Sequence, residues 1–138
     1  MEIPEEVFEA FDNCCSPEKS LVWIATTSGD IPHLAPVCFV KNLGNGKLLI
    51  AYVFISKTAS NIREGSKMAV GTSFRVNGYD GYLLKGRGEV LSEGELFEEF
   101  KKEVIERTSG KRVPKGVILF TTEECYSLKP SPGKKRLF

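Results

Sequence analysis

Six runs rich in Val, Ile, Leu, Phe and Thr constrain the fold of this chain more than any other feature. They are residues 21 to 27 (LVWIATT), 32 to 40 (PHLAPVCFV), 47 to 54 (KLLIAYVF), 67 to 75 (KMAVGTSFR), 80 to 91 (DGYLLKGRGEVL) and 116 to 128 (GVILFTTEECYSL). β-Branched and aromatic residues suit a pleated, half-buried surface, so each run reads as a strand. Ser28-Gly29-Asp30, Gly44-Asn45-Gly46 and Asn77-Gly78 stand between them. Asn-Gly pairs supply the positive φ angles of tight hairpin turns, which predicts antiparallel neighbours. Gly86 and Gly88 fall inside a strand pattern, where glycine marks a bend, a bulge or the close approach of another backbone.

Two amphipathic helices accompany the strands. Ile3, Val7, Phe8 and Phe11 recur at helical spacing behind Pro4, predicting a helix over 4–13. Leu96, Phe97, Phe100, Val104 and Ile105 share one face of a second helix over 94–108, which Gly110 stops. Two short helices cannot cover a wide sheet on both faces. The expected fold is therefore mainly β with short helices, a six-stranded antiparallel barrel, with a sandwich as the alternative. Side chains fill so small a barrel, so a ligand has to sit in an outer groove or between subunits.

The 138 residues fit a single domain over 1–138, ending in a basic tail, 129–138, that carries Lys129, Lys134, Lys135 and Arg136. With 19 basic against 18 acidic side chains there is no field for nucleic acid. No apolar run approaches the roughly 20 residues that span a bilayer, and the acidic start MEIPEE is unlike a secretion signal; a soluble cytoplasmic protein is expected, with no membrane partner. Cys14, Cys15, Cys38 and Cys125 form no C-x-x-C pair, and His33 is the only histidine, so no metal site is expected. The thiols read as free. Adjacent Cys14 and Cys15 suit a helix end with one buried and one exposed thiol, a redox pair being the other reading. His33 reads as a surface or interface residue, and Trp23 and Tyr52 as core or dimer contacts that alternatively stack near a ligand ring.

The stretch I-S-K-T-A-S-N-I-R-E-G-S-K, residues 55 to 67, follows directly on the apolar run LLIAYVFI. A helix starting near Thr58 presents unpaired N–H groups and its positive dipole end, which together favour an anion. Lys57 adds a charge, Ser56 and Thr58 add hydroxyl donors, and Asn61 lies one turn on. The same residue types also cap helices with no ligand present, so chemistry alone leaves both readings open.

Three ordered blocks carry a resemblance: W-I-A-T-T-S-G-D-I-P-H-L-A-P-V (23 to 37), S-K-T-x-x-N (56 to 61) and Y-L-L-K-G-R-G-E-V (82 to 90). With them the chain resembles, over about residues 20 to 98, the FMN-binding split-barrel family of pyridoxamine 5'-phosphate oxidase, its oxidase-related relatives and small bacterial FMN-binding proteins. The resemblance implies a homodimer with two FMN molecules at its interface. Lys57, Thr58 and Asn61 match the motif that holds the FMN phosphate and ribityl end, with Ser56 beside it. Pro36, Val37 and Cys38, and Val53, Phe54 and Ile55, match positions whose backbones line the flavin ring.

An FMN-dependent oxidoreductase, flavin reductase-like or pyridoxamine phosphate oxidase-related, is the implied function. NADH, NADPH or a small redox partner would then supply electrons, docking transiently because no Gly-x-Gly-x-x-Gly fingerprint is present. A non-enzymatic FMN carrier or flavin store remains open, as does a split barrel holding deazaflavin or haem. Relatives active on pyridoxamine phosphate carry arginine where Lys47 begins the third run here, and a tryptophan near the Arg136-Leu137 pair; both departures speak against that activity. The basic tail is expected to be a solvated end or to fold over the partner's anionic cofactor.

Overall fold

The computed structural model describes residues 3–12, 21–37, 39–74, 80–129 and 136–138. Cys14, Cys15 and Cys38, the Asn77-Gly78 turn and residues 130–135 of the tail lie outside the described residues. The elements run α1 (Glu5–Phe11), β1 (Val22–Ser28), β2 (Ile31–Val37), β3 (Val40–Gly44), β4 (Lys47–Tyr52), α2 (Ser56–Arg63), β5 (Lys67–Phe74), β6 (Asp80–Leu91), α3 (Glu95–Arg107) and β7 (Gly116–Ser127).

The six-strand expectation is corrected: the sheet has seven strands, in the order β2-β1-β5-β6-β7-β4-β3, every pair antiparallel. The run predicted over 32–40 is the one that divides. Val37 and Val40 both face the larger core, three residues apart. A continuous strand returns a side chain to the same face only at even spacing, so the run has to break phase between them. β2 closes a hairpin with β1, and β3 turns away to pair with β4. The β3–β4 turn is the expected one, with Gly44, Asn45 and Gly46 all at positive φ. The sheet curls until β2 lies against β4, although the two share no ladder.

β4 is buried on both faces, which explains its unbroken apolar run. Leu48, Ile50 and Tyr52 join the larger core with Ile24, Val70, Leu84, Ile118 and Phe120, closed off by Val7, Phe8 and Phe11 of α1. Leu49 and Ala51 face outward, where Phe97, Phe100 and Val104 of α3 cover them as a second cluster. An ion pair from Lys41 to Glu103, 3.2 Å, ties α3 to β3.

The strand glycines act by close approach. A Cβ at Gly86, where the β6–β7 register shifts, would collide with the Thr121 carbonyl oxygen, and one at Gly88 would collide with Met68 Sδ. Cys125 is buried in the larger core, and that burial pushes its thiol up to about 11, well away from thiolate character near neutral pH. The end of the tail docks beside it: Leu137 N donates to Cys125 O at 2.8 Å, and Arg136 pairs with Glu124 at 3.8 Å. Among the described residues no helix is long and apolar enough to cross a membrane.

Candidate functional site

Helix α2 starts three residues after β4, packs against β1, β6 and β2, and turns Thr58, Ala59, Asn61 and Ile62 inward. Its N terminus has no side-chain cap and no acidic residue in the first turn. Ser56 N is taken up by Phe54 O (2.8 Å), and Ala59 N is the first to bond back along the helix, to Ile55 O (3.2 Å). The N–H groups of Lys57 and Thr58 between them have no hydrogen-bond acceptor among the described residues. Open donors at the positive end of a helix are a place for an anion. Ser56 and Lys57 are exposed at this turn, and Lys57 forms no ion pair among the described residues.

Thr58 and Asn61 are fully buried beneath the same turn. Asn61 Nδ2 donates to Thr26 Oγ1 at 3.1 Å, pinning α2 to β1. Among the described residues two atoms here have no partner, Thr58 Oγ1 and Asn61 Oδ1, and Thr122 Oγ1 of β7 is a third such atom. Buried polar atoms are nearly always satisfied in folded proteins, and an orphan at a site is a mark of strain or of something still to bind.

The two strand segments singled out by sequence converge beside this turn. Pro36 and Val37 at the end of β2 and Val53, Phe54 and Ile55 after β4 line one pocket of about 200 Å³, joined by Phe39, Ala51 and Tyr52. Ile55 immediately precedes the first residue of α2, so the apolar pocket runs up to the uncapped helix end. Phe54 stands 75% exposed over it, a large apolar area left to solvent by a single chain. Cys38 lies outside the described residues.

Phe39, Ala51 and Arg112 line the pocket without standing among the residues expected from sequence, and Arg112 is the charged one. Arg112, from the basic stretch SGKRVPKG, reaches the pocket and stands with its guanidinium 5.6 Å from the Phe54 ring centroid. The surplus of cations in that stretch is visible in sequence, but its position opposite Phe54 depends on how α3 folds back. A second cavity, about 300 Å³, lies on the outer face of β1, β5 and β6 and holds Thr27, Lys67 and Lys85 but none of the expected site residues. His33 sits half-buried in β2 opposite Thr26.

The sequence matches the pyridoxamine 5'-phosphate oxidase family over residues 6–129, nearly the whole chain. The chain belongs to this family. An uncharacterised protein of Methanocaldococcus jannaschii is 36% identical over 126 residues, spanning 88% of this chain and 82% of its own. Among solved structures, HupZ of Group A Streptococcus superposes with a TM-score of 0.76 at 22% identity, over 96% of this chain and 98% of its own. An FMN-binding protein from Syntrophomonas wolfei subsp. wolfei gives 0.76 at 18% identity, over 92% and 89%. These likenesses bear out a mainly β fold built on an antiparallel sheet.

Proposed function

We propose that this protein is an FMN-binding flavoprotein that works as a homodimer and serves as an oxidoreductase. The observation that carries the reading is the meeting of the two strand segments, 36–37 and 53–55, in one apolar pocket that ends at an uncapped helix N terminus bearing Lys57. A planar aromatic ring suits the first part and a phosphate the second. Ser56 and Lys57, with the open N–H groups of Lys57 and Thr58, are the residues that hold the phosphate. Asn61 keeps that turn in place through Thr26, and the orphaned Thr58 hydroxyl lies directly below it. Family membership and the structural likeness to an FMN-binding protein support the same cofactor.

A pocket of about 200 Å³ is smaller than the roughly 300 Å³ at which ligand sites begin. A second copy supplies the missing wall in this reading. Trp23, Leu34 and Phe54 are 41%, 61% and 75% exposed, an apolar surface next to the pocket that a partner subunit would cover. When bound, the flavin supplies the electron and hydride chemistry, while the chain binds it, orients its ring and excludes water from one face.

The test is a titration of the purified protein with FMN, followed by ring fluorescence and absorption, with chromatography of any chromophore that copurifies. Binding that Lys57→Ala weakens by about ten- to a hundred-fold, the loss of a charge-assisted bond to phosphate worth about 1.5–3 kcal/mol, supports the site. A protein that takes up no FMN refutes it. Oxidation of NADH or NADPH by the loaded protein then separates an enzyme from a carrier.

A further inference from the structure

The stretch from 108 to 115 is fixed at both ends. Thr108 Oγ1 donates to Val104 O at 2.9 Å and accepts from Arg112 N at 3.1 Å, which folds the stretch tightly against the end of α3. At its other end Lys115 N donates to Tyr52 O at 2.9 Å, docking it onto the last residue of β4. Arg112 is delivered between these anchors to the pocket beside Phe54, and it is the only charged residue among the described lining. Its Nη1 bonds to the Lys111 carbonyl at 3.2 Å, and it has no carboxylate partner among the described residues.

An arginine remains charged at all working pH values, and an uncompensated charge acts more strongly across an apolar lining than across water. We propose that Arg112 sets the charge preference of the pocket, holding a ring that carries negative charge more tightly than the same ring when neutral. The inference rests on the flavin reading above and goes beyond it by naming the residue that biases the site toward the reduced ligand. An oxidised flavin ring that accepts two electrons, here from dithionite, and one proton from water gains one negative charge. Arg112 would therefore raise the potential of bound FMN without being needed to hold its phosphate. It is a positioning charge and takes no part in bond making.

The experiment compares wild-type protein with Arg112→Gln and Arg112→Lys, each loaded with FMN. Affinity for oxidised FMN is measured by fluorescence, and the two-electron midpoint potential by dithionite titration against an indicator dye. Arg112→Gln is expected to leave the oxidised affinity within about twofold and to weaken reduced-FMN binding about tenfold, read as a potential about 30 mV more negative. Arg112→Lys should recover most of that shift, and Lys111→Gln, which removes a neighbouring cation outside the pocket lining, should show little. FMN bound normally at an unchanged potential in Arg112→Gln overturns the inference and leaves the flavin reading standing. Failure of the wild-type protein to bind FMN overturns both.

Discussion

Helices α2 and α3 are both short, amphipathic and laid against the same sheet, yet they finish their N termini in opposite ways. α3 follows Gly94 and carries Glu95 and Glu98 in its first turn and Arg107 in its last, so its own side chains answer both ends of the dipole. α2 has no acid in its first turn and places Lys57 there, above a buried Thr58 hydroxyl that has no partner among the described residues, while neither helix has a side-chain cap. A cation in the first turn costs stability through the helix dipole, where an acid there adds to it. The contrast separates the two helices more sharply than their apolar faces, which look alike in the sequence.

The largest expected effect lies on α3. Phe100→Ala removes a side chain that is 1% exposed from the second cluster, at a cost of about 3–5 kcal/mol, with FMN affinity of the remaining folded protein little changed. Denaturant unfolding alongside FMN titration checks it, and an equal loss in both would erase the division between the helices. Thr58→Val comes next. If the hydroxyl is an orphan, a methyl in its place stabilises the ligand-free protein by about 1 kcal/mol, whereas a stability loss would reveal a partner for the oxygen.

The smallest effects form a mirrored pair. Lys57→Glu should stabilise the FMN-free protein by about 0.3–1 kcal/mol through the α2 dipole while sharply weakening FMN binding, and Glu95→Lys should lose a similar amount of stability and leave binding alone. Thermal melts with and without FMN at low salt show both. Two substitutions that shift stability in the same direction would mean that the dipole argument does not distinguish the helices.

Much of this is legible in the sequence. The hairpin turn at Gly44-Asn45-Gly46, the α3 stripe at Phe97, Phe100 and Val104, though not the exposed Leu96, and the close approach at Gly86 follow from local chemistry: positive φ, helical spacing and the missing Cβ. The division of the second run was less visible, because PHLAPVCFV is apolar throughout and shows where it breaks only once Val37 and Val40 share a core. Pro36 and Val37, and Val53, Phe54 and Ile55, stand in two separate segments of the sequence, and the fold brings them into one pocket. Asn61 and Thr58 proved to lie under the helix turn, because α2 packs its inner face on β1.

A mainly β chain with amphipathic helices, antiparallel pairing through Gly- and Asn-bearing turns, and a cation at the start of a helix can all be read along the chain. Those properties are local, set by side-chain period and backbone freedom within a few residues. Long-range packing is what sends β2 and β3 to opposite edges of a curled sheet and brings Arg112 to the same pocket as Phe54, 58 positions away. The reason is physical: both depend on which distant strands share a buried face, and burial is a property of the whole packed chain.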